Sequence, residues 1–319
     1  MKSNFDAIFF ISFGGPTKKD EIRPFLENVT RGRPIPKERI EAVAHHYELI
    51  GGASPINAIT EKQARGLEKL LVESGNPLPV YVGNRNWHPF IKDTLAKMMK
   101  DGVKKAVGFV TAAYRCEASW ERYLNAVEAA RKELGTGAPK IEYVEPWFDH
   151  PLFIEAVAER VQEALRMFPG NPNRKEAMPW IFTAHSIPVT MAETSNYEAE
   201  LTRTCELVAE KLGKREWTLA YQSRSGRPED PWLEPDVCDV IRKLAAAREA
   251  QVRDVLVIPV GFLADHVEVL YDLDVEAKQI AKEAGVKLFR AKTVGDSGIF
   301  IRMISDKTAQ IMGGRDVAV

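Results

Sequence analysis

The chain has 319 residues, of which 45% are hydrophobic and 28% charged, and its net charge is −1. That balance excludes a largely disordered chain and a global field for nucleic acid or an acidic membrane. The length fits two domains or one large one, and no apolar run reaches the roughly 18 residues of a transmembrane helix.

The first predicted element is the strand AIFFISF (7–13). The N-terminus "MKSNFDAIFFISFGG" carries one Lys and then Asp6, and no small-x-small cleavage pattern precedes "TKKDE". A buried strand therefore explains it better than a signal peptide, and the expected location is cytoplasmic. Further strands are predicted at 79–83, 106–113, 140–145, 180–185, 218–223, 254–262 and 287–291. Helical periodicity fills 17–28, 37–49, 57–74, 89–100, 117–135, 150–167, 196–213, 235–247, 266–284 and 296–312. The strands are nearly all apolar and alternate with helices, the pattern of parallel sheet covered on both faces.

The strands divide four and four near "PWFDHP". Domains of 1–147 and 148–319 follow, and the last helix is assignable to either. "MFPGNPNRKEAMP" (167–179) is expected to be a surface loop within the second half. Cys116, Cys205 and Cys238 include no CxxC spacing, so they read as buried small hydrophobes and supply no iron–sulfur or structural zinc set.

Ligands of open parallel sheets bind beyond the carboxyl ends of strands. The first strand leads into "SFGGPTKKD", which is not a G-x-G-x-x-G fingerprint, and no P-loop motif occurs. A nucleotide function is disfavoured, although Gly14 and Gly15 permit close backbone approach by some ligand. In "IFTAHSIP", His185 falls where a strand meets its loop. It reads either as a histidine hydrogen-bonded within the loop or as a group that moves a proton or binds a metal.

"DHVEVLYDLDVE" (265–276) follows the 254–262 strand. Leu263, Val267, Leu270, Leu273, Ala277 and Ile280 form the predicted core stripe, and Asp265, Glu268, Asp272 and Glu276 lie on another face. Asp265 with Glu268 fits a capping box, and Asp272 and Glu276 fit a solvated face. The competing reading is a track for a hard cation, for which carboxylate oxygens and a nearby imidazole suit Fe2+. Trp232, in the loop after the 218–223 strand, is either an anchor or the lining of a flat aromatic ligand. Arg31 and Arg33 are candidates for ligand carboxylates. Of the adjacent His45 and His46, at most one is placed to meet a ligand.

Taken in order, "FISFGGP", "RGRP", "HYELIGGASPIN", "VGNRNWHPF", "AHSIP", "QSRSGRPEDPWLEPD" and "PVGFLADHVEVLYDLDVE" resemble ferrochelatase, the enzyme that inserts Fe2+ into a porphyrin. The likeness runs through nearly the whole chain. It implies two Rossmann-like domains of the chelatase type with a porphyrin cleft between them. It implies His185 and Glu268 as the catalytic pair, and Asp272 and Glu276 as an acidic ridge on a helix distorted by a π turn. Phe13, Thr30, Arg31, His46, Tyr47, Ser54 and Tyr123 then match positions that hold the macrocycle or its propionates. Phe13 stands where some members carry an iron-ligating Tyr, so it can only pack against the ring. Thr30 and His46 stand where some relatives have Arg, a loss that Arg31 or Arg33 would offset. The wording is closer to the members that act on coproporphyrin III than to the protoporphyrin IX enzymes. Iron and porphyrin are then substrates, with transient contact to neighbouring haem-pathway enzymes and no iron–sulfur cluster. A non-catalytic haem or metal carrier is the alternative of a different class.

Overall fold

The computed structural model describes residues 4–32, 35–169, 171–225, 227, 229–247 and 252–313. Each apolar run becomes a strand: β1 Ala7–Ser12, β2 Val80–Asn84, β3 Lys105–Val110, β4 Lys140–Tyr143, β5 Trp180–His185, β6 Thr218–Gln222, β7 Asp254–Ile258 and β8 Lys287–Arg290. The helices are α1 Ile22–Thr30, α2 Lys37–Leu49, α3 Ile56–Glu73, α4 Ile91–Lys100, α5 Arg122–Leu134, α6 Pro151–Arg166, α7 Pro172–Ala177, α8 Val189–Glu193, α9 Tyr197–Lys211, α10 Val237–Ala246, α11 Val267–Leu270, α12 Lys278–Glu283 and α13 Gly298–Ile311. Two stretches are π-helical, Glu117–Glu121 and Asp272–Ala277. Within the predicted loop 167–179 lies the short α7, which Asn171 caps by accepting from the Arg174 N–H at 3.0 Å.

The described residues form two compact units. Unit 1 holds those of 1–113, 117–147 and 295–319; unit 2 holds those of 114–116 and 148–294. Unit 1 has the all-parallel order β2-β1-β3-β4, and unit 2 repeats it as β6-β5-β7-β8. Ile8, Phe9, Phe10 and Ile11 are fully buried, as are Ile181, Phe182 and Val257. Helices cover both faces of each sheet, so successive residues of the inner strands β1, β3, β5 and β7 are shielded alike, whereas the edge strand β4 alternates Lys140 and Glu142 outward with half-buried Ile141 and Tyr143.

Of the two places open to the last helix, α13 takes unit 1 and not the 148–319 half. It packs on α3. A Cβ at Gly66 would lie 2.6 Å from Ile301 Cδ1, so the glycine permits that approach. Phe300 lies against Trp147 with ring centroids 5.6 Å apart, and the Gln63 amide donates to Gly295 O at 2.8 Å. The apolar face of α13 suits either half by composition, and only these partners decide.

In the order second-first-third-fourth, the connections diverge between the first and third strands of each sheet, which opens a crevice at their carboxyl ends. That crevice lies at β1/β3 in unit 1 and at β5/β7 in unit 2. The chain leaving β7 crosses tightly over β5. The Gly261 N–H donates to Thr183 O at 2.9 Å, and a Cβ at Gly261 would sit 2.5 Å from Ala184 Cβ and 2.6 Å from its Cα. Backbone cannot yield as a flexible side chain does. Gly261→Ala is therefore predicted to destabilise unit 2 by about 1–3 kcal/mol, read as a lowered urea midpoint.

Candidate active site

His185 is the last residue of β5, at the unit 2 crevice. Its Nδ1 contacts Ser186 O, which can only accept, so Nδ1 donates there and Nε2 is the ring nitrogen turned to Glu268. The buried Tyr197 donates its hydroxyl to His185 O at 3.0 Å and fixes the strand end. Nε2 lies 3.7 Å from Glu268 Oε1. That is too long for a hydrogen bond and short enough for one cation to bridge.

Glu268 belongs to α11, in the crossing that follows β7. The helix is capped by His266, whose Nδ1 accepts the Glu268 N–H at 3.1 Å. The expected Asp265–Glu268 capping box is not formed. Asp265 is drawn to Arg290 instead, at 3.2 Å. Burial lowers the pKa of His266 even though Glu268 and Asp265 pull the other way, so its imidazole is neutral near pH 7. The Gln222 amide, at the end of β6, donates to Glu268 O and ties down the same turn.

After α11 the helix widens. The N–H groups of Val275 and Glu276 both reach Tyr271 O, at 3.0 and 2.9 Å. This π turn breaks the single helix predicted at 266–284. It also shifts the buried face: Leu273 and Ala277 are fully buried as predicted, Val269 joins them from outside the stripe, and Leu270 and Ile280 are only half-buried. Glu268, half-buried Asp272 and exposed Glu276 follow one another at four-residue intervals. Asp274, the remaining carboxylate of the stretch, pairs with Arg290 and Lys278.

Burial pushes the Asp272 carboxyl up to about 8, helped by the like charges of Glu268 and Glu276; the Ser223 hydroxyl, which donates to Asp272 Oδ2, works against this. Ser223 has φ 64°, a left-handed conformation uncommon outside glycine, and at this position it turns its hydroxyl onto Asp272. Among the described residues, no three His, Cys, Asp or Glu side chains converge as a ready-made metal cage. The arrangement is a file of carboxylates headed by the His185–Glu268 pair. The loop of half-buried Trp232 is stitched to the segment after His185: Ser186 Oγ donates to Leu233 O at 2.8 Å, and the Leu233 N–H to Ile187 O at 3.0 Å.

The seven residues expected to hold the ring or its propionates are all in unit 1, but they are not all gathered together. Phe13, just past β1, and buried Tyr47 both meet the edge or face of Phe25, with centroids 6.2 and 6.0 Å away, and Trp87 joins them at 6.1 Å. Ser54 is buried beside Gly15, where a Cβ would lie 2.8 Å from Ser54 Cβ. Thr30 turns its hydroxyl back to Leu26 O at 2.8 Å, and exposed Arg31 reaches Asn28 Oδ1 at 2.5 Å. His46 is half-buried, and burial, with Arg39 and His45 nearby, lowers its pKa to about 4. It offers a neutral donor and no cation. Buried Tyr123 opens the helix after the first π turn, with the Arg85 guanidinium 5.8 Å from its ring centroid. Arg33 lies outside the described residues. His266, Gln222, Ser223, Tyr197 and Arg85 were not singled out in the sequence. Two of them, Gln222 and Ser223, end a predicted strand, which is the one signal that marks them.

Folded Asp272 keeps its proton up to about pH 8, whereas the unfolded chain releases it near 3.8. Unfolding therefore sheds a proton within that window, and Asp272 makes the folded state progressively less stable as pH rises through it. Asp272→Asn is predicted to raise the thermal midpoint. The gain should be absent below the window, grow across it and level off above, as thermal melts at several pH values would show.

A sequence model of the ferrochelatase family matches residues 5–311. A ferrochelatase of Rhodopirellula baltica is 42% identical over 309 residues, covering 97% of this chain and 87% of its own. The coproporphyrin III ferrochelatase of Mycobacteroides abscessus is 41% identical over 314 residues, 98% of this chain and 90% of its own. That of Mycolicibacterium smegmatis is 42% identical over 314 residues, 98% and 91%. Among solved structures, SirB from Bacillus subtilis with Fe3+ aligns at TM-score 0.57 and 12% identity, over all of both chains. The sirohydrochlorin chelatase SirB of Bacillus subtilis subspecies spizizenii with cobalt gives 0.55 at the same identity and coverage. At that identity the two structures speak for the fold alone, two chelatase-type Rossmann-like sheets. With the family match across 5–311 and relatives above 40% identity along nearly the full length, the chain belongs to the ferrochelatase family.

Proposed function

We propose that the chain inserts Fe2+ into coproporphyrin III. The observation that carries the chemistry is the His185 Nε2–Glu268 Oε1 pair at 3.7 Å, heading a file of acids that ends in solvent. Metallation replaces two pyrrole protons by one dication. His185 Nε2, facing Glu268, accepts the two pyrrole protons one after the other; Glu268 stabilises each imidazolium and takes its proton on to Asp272 and Glu276 before the next is accepted. Asp272 and Glu276 exchange one Fe2+ inward for two protons outward, which leaves the charge of the file unchanged. A substrate metal must leave its ligands, so a file of weak pairwise sites serves better than a closed cage.

Two observations support coproporphyrin III over the less carboxylated protoporphyrin IX. Relatives at about 41% identity carry that name. In unit 1, the exposed Arg31 and the Arg85 beside Tyr123 add guanidinium groups suited to propionates. In this reading Phe13, Tyr47 and Tyr123 supply apolar contact to the macrocycle, and Thr30, His46 and Ser54 supply neutral polar contact at its edge.

His185→Ala and Glu268→Gln are each predicted to cut turnover by roughly 10²–10⁴-fold, while porphyrin still binds. Loss of porphyrin fluorescence on anaerobic addition of Fe2+ measures the rate, and near-wild-type rates would remove the assignment. The same assay on the two porphyrins tests the substrate. Higher kcat/KM on coproporphyrin III is expected, and a preference for protoporphyrin IX would overturn it.

A further inference from the structure

Two of the five carboxylates in 265–276 are held out of the file, and one side chain holds both. Arg290 ends β8 with its side chain only 10% exposed. Its Nη1 and Nη2 donate to the two oxygens of Asp265 at 3.3 and 3.2 Å, a parallel fork. Its Nε and Nη2 donate to Asp274 Oδ2 at 3.0 and 2.7 Å. Lys278 takes the other oxygen of Asp274 at 2.6 Å.

Asp265 lies before α11 and Asp274 within the π turn. The stretch between them carries Glu268 and Asp272, and both its ends are tied to a single strand end. The stretch needs such a tie. A π turn is rare and closes its hydrogen bonds less favourably than an α turn. Like charges one turn apart also push the helix to unwind. Were the segment to relax to α geometry, Asp272 and Glu276 would rotate relative to Glu268, and Asp272 would leave the Ser223 hydroxyl.

We propose that Arg290 is a positioning residue for iron delivery: its two-sided fork fixes the π turn so that Glu268, Asp272 and Glu276 stay in one file. The proposal rests on the reading of that file as the iron route. Arg290 never meets the metal. A lysine would keep the charge and lose the fork.

The test is anaerobic steady-state kinetics with Fe2+ varied, on the full chain. Arg290→Lys is expected to raise the KM for Fe2+ about tenfold or more while porphyrin affinity, read by fluorescence without iron, stays within about twofold. Unchanged iron KM with a lowered thermal midpoint would show that Arg290 only stabilises the fold, and the proposal would fail. If Arg290→Lys does not fold, the neutral combination Arg290→Met, Asp265→Asn and Asp274→Asn leaves no uncompensated buried charge. It must also show the raised iron KM, and a wild-type value there overturns the proposal. Asp272→Asn, run in parallel, separates the two layers. A raised iron KM in it beside an unchanged one in Arg290→Lys removes the clamp alone. An unchanged iron KM in Asp272→Asn removes the route, and the clamp with it.

Discussion

Three carboxylates following one another along a partly buried helix repel, and the second half of the protein is arranged around that repulsion. Each neighbour answers it differently. Burial and like charge keep a proton on Asp272 near neutral pH, and Ser223 adopts a left-handed backbone to place a hydroxyl on it. Gln222 and His266 bind the backbone of the first turn, which frees the Glu268 side chain to face His185. The remaining acids of the stretch, Asp265 and Asp274, are neutralised by Arg290 and Lys278. Like charge held in a partly buried file is costly to fold, and in the proposed function a dication or two protons would lower that cost.

The fold supplies the place for this chemistry. Both units use the same strand order, and in unit 2 the crevice of that order receives His185 from β5 and the crossing after β7 that leads to Glu268. Unit 1 presents Phe13 past β1 and, beyond β3, the π turn that leads to Tyr123. Two π turns fall in corresponding connections, each after the third strand of its sheet. A helix widened by one residue re-aims side chains without changing the sheet beneath it.

Strands were the most legible part of the chain, because parallel strands buried on both faces leave unbroken apolar runs. Their ends were less so. The 254–262 run stops as a strand at Ile258, since Pro259 has no N–H for the ladder and Gly261 carries the chain over β5. The short helices α7 and α8 have too few residues for periodicity to register. His185 was legible through its place at a strand end and through family wording; Glu268 was expected at a strand end too but lies in α11, ten residues past β7, and was legible only through its acidic spacing and family wording. His266 was not, because the D-x-x-E pattern made its neighbour Asp265 the natural cap. Arg290 was not either, because it sits 25 residues from Asp265 and 16 from Asp274. Hydrophobic spacing also cannot distinguish a π turn from an α turn over one stretch. Family likeness implied the second π turn; the first, Glu117–Glu121, carried no signal.

The return of α13 to the first sheet has a consequence for synthesis. Residues 148–294 are synthesised before α13, so the unit bearing His185 and Glu268 has its own sequence complete first. At typical translation rates the synthesis of residues 148–294 takes on the order of ten seconds. Throughout it, the groove over Gly66 on α3 has no Ile301 to fill it. The first sheet is thus begun before the second and completed after it, and until then the Gly66 face of α3 stands without its cover.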